Sequence, residues 1–466
     1  MSAPPAARSA WSAGSGSVPQ APERSVWARP EVQWGGGVLA LAGVIRLAFW
    51  LVYQPASFGD TAAYLRLAQV VGGGSLSAYD GTRTPGYPAF LALVRGDPQQ
   101  VWLGQMVLGL LITLGIYWVC WSLTGRPRLA AGVAAAYSLL PGLLFFEAAL
   151  LTETLTTFFI TACLVCLAAL ERSTKGRSAV VTAALLGLSA SLAALARPLF
   201  FVLPAVLLPF VWCSGVGRER WARSAAFALA PIVLLGGWLA FIDSKYGMLS
   251  PTVMGGYSLV QHTGAFFEYL PDEAAPIRDT YLRYRAAQLA ARGTQTNAIW
   301  DAIPEISRAS GLGFYDLSRE MQRLSLWLIR QHPDLYARSA AEGWVAFWKA
   351  PIYWDLQLVS PAWLATALPA YATLTRLLLA GANLAFLALC LAGLFLRRVR
   401  RALAAHTTTL AGAAMVLVVS VVQTLLDHGD NPRFLVPLQM VVVVVVVLTV
   451  EAYFAHRTAG RAPTDG

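Results

Sequence analysis

The sequence predicts an all-α, polytopic membrane helix bundle with a small helical cap, and three observations carry that expectation. Of 466 residues, 57% are hydrophobic and only 13% charged, where a soluble globular chain carries about 25% charged residues. The mean hydropathy is +0.56. The apolar residues gather into runs of about 20, the length a helix needs to cross a bilayer. A net charge of +10 would suggest nucleic acid only if the basic residues formed a patch or stripe. Here they fall in short clusters between apolar runs, a pattern that orients a membrane protein. Membrane lipids are therefore the expected surroundings, and nucleic acid is not an expected partner.

Residues 1–30 are rich in Ala, Pro, Ser and Gly and lack the apolar core of a signal peptide. They read as a disordered cytoplasmic tail. Expected spans lie at about 34–53, 98–121, 128–146, 150–170, 178–196, 199–215, 222–242, 367–396, 407–426 and 433–454. That is about ten, the sixth short, with room for further interfacial or embedded helices in 340–365. The chain divides into a tail (1–30), an N-terminal transmembrane module (31–242), an outer and interfacial helical segment (243–363), C-terminal transmembrane helices (364–457) and a cytoplasmic tail (458–466).

Orientation follows from the loops. Arg8, Arg24 and Arg29 precede the first span, and every arginine-rich short loop falls on the same side: Arg126 and Arg128, residues 171–177, Arg218 with Arg220 and Arg223, and Arg397 to Arg401. The positive-inside rule makes that side cytoplasmic and the span count even. A multi-pass protein of the cell inner (plasma) membrane is expected. The opposite loops are acidic, aromatic and proline-bearing, so the unusual polar residues converge on the extracytoplasmic face. No internal repeat supports a duplicated transporter architecture.

The long outer segment carries helical periodicity at 315–329. His332-Pro333 breaks that helix, and another begins near Leu335 and runs through Trp344, Phe347 and Trp348, aromatics suited to a membrane interface. The five cysteines lie in or beside apolar runs. Cys163 and Cys166 have CxxC spacing but no second pair, and read as small apolar residues of a span rather than a redox or zinc site. No disulfide framework is expected.

The polar residues of the outer loops carry the functional argument. Asp60 opens a short helix and shares a face with Tyr64, four residues on. It can cap that helix, and capping and catalysis are compatible. Thr82-Arg83-Thr84-Pro85-Gly86-Tyr87-Pro88 is stiffened by two prolines, with Gly86 expected to let the chain turn. It holds Arg83 and Tyr87 above the second span, where Arg83 can meet a phosphate bidentately or lipid headgroups. Glu153 begins the fourth span, as a functional carboxylate or an interfacial cap, and Glu147 competes for the same role. Arg197 is a binding residue or snorkels to headgroups. Arg433 opens the last span on the side where arginine is unexpected, as a binding residue or in a salt bridge with Asp427 or Asp430. His428, beside two aspartates, and His262 are metal candidates together with Asp60 and Glu153.

These residues in this order (Asp60 with Tyr64; Arg83-x-Pro85-Gly86-Tyr87-Pro88; Leu-Thr-Glu153; Asn431-Pro432-Arg433-Phe434 with Pro437) resemble the C-type membrane glycosyltransferases. The resemblance is closest to bacterial relatives of protein mannosyltransferases and lipid A aminoarabinose transferases. The matched motifs span most of the chain, and Arg-x-Pro-Gly-Tyr-Pro is the most specific. The resemblance implies a membrane helix bundle with an extracytoplasmic active site, a polyprenyl-phosphate-linked sugar as donor, and inverting transfer centred on the first outer-loop aspartate, here Asp60. Many members have an acidic pair at this point; here Thr61 follows Asp60, so a partnering carboxylate, and with it a divalent cation, stays an open question. Phe434 stands where tyrosine is common.

The expected function is therefore transfer of a sugar from a polyprenyl-phosphate donor to a protein, lipid or glycan acceptor. Asp60 and Glu153 are the catalytic candidates, and Tyr64, Arg83, Tyr87, Arg197 and Arg433 the substrate-binding ones. A transporter or flippase of a lipid-linked or polar substrate is the alternative; it predicts ionisable residues near the bilayer midplane and discontinuous helices. A non-catalytic membrane scaffold is the third reading, and it leaves the clustered Asp, Glu and Arg without a role.

Overall fold

The computed structural model describes residues 29–172, 176–349, 355–428 and 433–459. The expected tails at 1–30 and 458–466 lie almost wholly outside the described residues, as do Asp430, Asn431 and Pro432. The N-terminal part comprises α1 (Pro30–Val52), α2 (Thr61–Gly72), α3 (Gly86–Leu93), α4 (Pro98–Thr124), α5 (Pro127–Leu139), α6 (Pro141–Ala148), α7 (Glu153–Arg172), α8 (Arg177–Ala196), α9 (Leu203–Ser214), α10 (Arg218–Ala230) and α11 (Gly236–Tyr246). Then come α12 (Gly255–Thr263), α13 (Ala275–Arg292), α14 (Ala298–Ser310), α15 (Phe314–Gln331) and α16 (Pro333–Lys349). The chain closes with α17 (Ala362–Phe395), α18 (Arg397–Leu403), α19 (Thr407–Leu426) and α20 (Val436–Ala459). Among the described residues the only β feature is an isolated bridge between Ala56 and Ala149.

Among the described residues, eight helices are long and apolar enough to cross a membrane, or nine if the bent pair α5–α6 is one span. Each of the ten expected runs is an apolar helix, and the lower count has two causes. Pro141 lacks an N–H and its ring blocks a continuous helix, so α5 and α6 meet at a 57° bend. The sixth run, Pro198–Ser214, is short, as its sequence suggests. The seventh runs through Pro231 by a π-helical turn, Pro231–Leu235, that joins α10 to α11. Proline and glycine mark the other ends. Asp97 caps α4 by accepting from the Gln100 N–H, Pro98 fills its first turn, and Gly125, with φ of 66°, ends it in the left-handed region.

The most enclosed span is α7, with 72% of its apolar window buried, and the most exposed is α17 at 17%. Helix α7 therefore forms the hub, packing on α4, α8, α19 and α20. Helices α12 to α15 form a cap with its own core, including Tyr257, Phe267, Tyr281, Ile306 and Met321. On α15 the buried residues Leu317, Met321, Leu324 and Leu328 recur at helical spacing. That helix ends at Gln331 and α16 starts at Pro333, as His332-Pro333 suggests. Cys163 and Cys166 both lie in α7 and are free thiols.

One glycine has a role different from the expected turn. Gly86 opens α3, and a Cβ there would lie 2.6 Å from the backbone of Leu195 and Ala196. Its function is close approach of α3 to the end of α8. Gly86→Ala is expected to cost about 1–3 kcal/mol of stability by overpacking against backbone that cannot rotate away. Thermal unfolding in detergent checks this, and an unchanged midpoint would show that the two helices separate freely.

Candidate active site

The site is assembled from loop ends and helix starts at one end of the bundle. Asp60 precedes α2 with helical φ and ψ (−76°, −23°), and its side chain makes no capping bond. This corrects the cap reading: a capping aspartate sits in the extended region so that its oxygen reaches back to the helix N–H groups. Thr61 ties down this turn instead. Its hydroxyl accepts from the Phe58 N–H at 2.9 Å and donates to the Leu150 carbonyl at 3.2 Å. The residue that follows Asp60 is thus buried, and it links the Asp60 loop to the segment leading into Glu153.

The Asp60 carboxylate faces two arginines from distant parts of the chain. Arg83 donates to Oδ1 at 2.6 Å and Arg433 donates to Oδ2 at 2.6 Å. Arg433 also donates through Nε to Glu153 Oε1 at 2.6 Å. Arg197 donates to that same oxygen at 2.9 Å and to the Arg433 carbonyl at 3.0 Å. Five of the expected site residues therefore form one ion-pair network, and three guanidinium groups against two carboxylates leave one net positive charge.

Exposure divides the network. The Glu153 side chain is 0% exposed and Arg197 9%, whereas Arg433 is 13%, Arg83 23% and Asp60 32% exposed. Glu153 is thus not an interfacial cap, and Arg197 does not snorkel to headgroups. Both are enclosed because each supplies the charge that makes the other's burial tolerable. Glu153 Oε2 is buried without a hydrogen-bond partner.

The two remaining expected residues lie under the network. The Arg83 guanidinium sits 5.7 Å from the Tyr64 ring centroid. Tyr64 meets Tyr87 edge to face, with centroids 5.1 Å apart. Burial raises the Tyr64 phenol above its ordinary range, so it acts as a neutral platform. Burial also pushes the Asp60 carboxyl up, but Arg83 and Arg433 outweigh that and bring its pKa down to about 2. For Arg433, burial opposes the charge, while Glu153 and Asp60 overcome it and hold the guanidinium above its usual value.

Glu147 takes no part in this network, contrary to the expectation that it competes with Glu153. It forms a bidentate pair with Arg46 of α1, at 2.6 Å (Nη2 to Oε1) and 2.8 Å (Nε to Oε2). Arg46 also donates to the Ser138 hydroxyl and the Ala42 carbonyl. Gly109 of α4 makes room for the pair, since a Cβ there would lie 2.2 Å from Glu147 Oε1. Arg46 escapes the sequence reading because the run around it is otherwise apolar; a charge inside a span is the signal that would have found it.

Gln105 of α4 is the other residue missed. It is fully buried, and its Nε2 donates at 2.8 Å to the carbonyls of Glu147 and Ala149. Its Oε1 accepts from the Tyr87 hydroxyl at 3.3 Å. These carbonyls belong to the end of α6 and the non-helical link to α7, where helix bonds stop and buried backbone needs partners. Ala56 pairs with the same link, donating to the Ala148 carbonyl at 2.9 Å and accepting from the Leu150 N–H at 3.0 Å. The segments carrying Asp60, Arg83 and Glu153 are thus stitched together through residues 147–150.

The metal candidates do not converge. The guanidinium of Arg433 bridges Asp60 and Glu153, so these carboxylates do not fit a cation held between them. His262 of α12 is buried, with Nδ1 2.8 Å from the Ser339 hydroxyl and its ring centroid 5.5 Å from that of His428. Among the described residues, no group of three or more His, Cys, Asp or Glu side chains is arranged to hold a metal ion.

No protein-family model matches the chain, and no curated protein matches it. Solved structures do resemble it. The oligosaccharyltransferase AglB of Archaeoglobus fulgidus, in complex with an inhibitory peptide and a dolichol-phosphate, is 12% identical, with 93% of this chain and 52% of that chain covered and a TM-score of 0.47. The A. fulgidus oligosaccharyltransferase tethered with an acceptor peptide is 12% identical over 92% of this chain and 50% of that one, with a TM-score of 0.49. ArnT from Cupriavidus metallidurans, bound to undecaprenyl phosphate, is 15% identical over 93% and 81% of the two chains, with a TM-score of 0.37. This chain spans about half the length of the two oligosaccharyltransferase chains.

Proposed function

We propose that this protein is a membrane glycosyltransferase that moves a sugar from a polyprenyl-phosphate donor to an extracytoplasmic acceptor with inversion at the anomeric carbon. The observation that carries the reading is the Asp60–Arg83–Arg433–Glu153–Arg197 network, one net positive charge gathered at one end of an apolar helix bundle. A lipid phosphate whose tail lies in the bilayer meets such a cluster without leaving the membrane. Charges gathered at one end also suit chemistry at an interface better than passage of a substrate through the bundle.

In this reading the acceptor hydroxyl oxygen attacks the anomeric carbon from the face opposite the phosphate. Its proton passes to the Asp60 carboxylate. The bond between the anomeric carbon and the phosphate oxygen breaks, and its electron pair stays on the phosphate. The donor is a diester with one negative charge, and the departing monoester gains a second. Arg83 and Arg433 therefore hold the transition state more tightly than the ground state, which is the condition for catalysis. Arg197 and Glu153 fix Arg433 from the buried side, and Tyr64 and Tyr87 support Arg83 from below. The inner membrane is the proposed location, with the site facing outward.

The test is incubation of the purified protein with defined polyprenyl-phosphate sugars and candidate protein, lipid and glycan acceptors, with products identified by mass spectrometry. The expected result is a glycosylated acceptor together with free polyprenyl phosphate. Movement of labelled substrate across vesicles without covalent change would replace the enzyme reading with transport.

A further inference from the structure

The two arginines best placed to take a donor phosphate are the two that hold Asp60. Arg83 Nη2 and Arg433 Nη1 each lie 2.6 Å from a different oxygen of this one carboxylate. A guanidinium N–H that points at a carboxylate oxygen cannot point at a phosphate oxygen at the same time. The Nε of Arg433 is held differently, by Glu153, whose side chain is 0% exposed, while Asp60 is 32% exposed. An arriving anion can therefore reach the Asp60 side of the fork but not the Glu153 side.

We propose, resting on the reading of the donor as a polyprenyl-phosphate sugar, that Asp60 and the donor phosphate compete for Arg83 and Arg433. Phosphate binding then releases the carboxylate to serve as the base. Glu153 and Arg197 stay paired through this exchange and keep Arg433 in place. The exchange orders the reaction. A carboxylate bound by two arginines is a poor proton acceptor, as its pKa of about 2 indicates. Losing those partners to the phosphate restores basicity only once a donor is seated. Activation of the acceptor without a donor is thereby suppressed.

Competition makes a distinctive prediction, because removing a catalytic carboxylate should then improve phosphate binding. Binding of undecaprenyl phosphate to the protein in nanodiscs is measured for wild type, Asp60→Asn and Asp60→Ala. Asp80→Asn serves as a control, since Asp80 lies on the loop that carries Arg83 but pairs with Arg66. Both Asp60 variants should bind at least about tenfold more tightly than wild type, Asp80→Asn should match wild type, and the gain should vanish when Arg83→Gln is added. Equal or weaker binding by the Asp60 variants, or an equal gain in Asp80→Asn, overturns the exchange while leaving the donor assignment standing. No binding of undecaprenyl phosphate by any variant overturns the exchange and the donor assignment together.

Discussion

Asp60→Asn is expected to lower the rate of sugar transfer by at least about a hundredfold, within the 10²–10⁴ range typical of general-base catalysis, while the protein accumulates and inserts normally. Asparagine keeps the shape of the side chain and one oxygen that can accept from an arginine, but it cannot take a proton from the acceptor hydroxyl. The site tolerates the change because Asp60 sits at a helix start, partly exposed, and makes no capping bond that α2 would miss. Its fold-holding neighbour is Thr61, which the substitution leaves alone. Transfer assayed at matched protein level in isolated membranes reads the effect directly. Wild-type turnover in this variant would remove Asp60 from the chemistry and leave the arginine cluster as a binding site only.

Removing Glu147 should produce the largest loss of stability. In Glu147→Ala, Arg46 would keep its charge in a place where its side chain is 1% exposed, with the carboxylate that compensates it gone. Breaking one partner of a buried pair costs about 3–5 kcal/mol, and a charge among apolar helices has no water to turn to. The cavity beside Gly109 adds to the loss. The cost should not appear when both partners go together. Arg46→Met with Glu147→Leu replaces the pair by apolar groups of similar size and should recover most of the stability. Thermal unfolding in detergent separates the cases; a single variant as stable as wild type would show that Arg46 finds another partner. Transfer should fall in Glu147→Ala as well, because the backbone of residues 147–150 carries the bonds to Gln105 and Ala56 that align the site.

The residues of the candidate site were legible because a membrane chain spends most of its length on apolar side chains. Against that background an Asp, Glu or Arg at a span boundary stands out, and all seven catalytic and binding candidates fall in or beneath one cluster. Their roles in that cluster were less legible. Read locally, Asp60 is a helix cap and Arg197 a snorkelling side chain. In the structure Asp60 pairs with Arg433, 373 positions away. Pairings of that separation are made by helix packing, to which local patterns are blind. Arg46 and Gln105 were hidden for the opposite reason: each lies inside a run whose average is apolar, and averaging conceals a single polar residue.

The sequence by itself determined the class of the molecule, the order of its helices and the loops where its polar chemistry gathers. Those properties follow from apolar run length, from proline and glycine at helix ends, and from the distribution of arginine. Only the tertiary structure decided which carboxylate meets which guanidinium. It placed Glu153 as the buried anchor and Asp60 as the accessible partner, and it sent Glu147 to Arg46. The physical reason is burial: two carboxylates of similar intrinsic strength stand in different surroundings because packing removes one from solvent and leaves the other partly exposed.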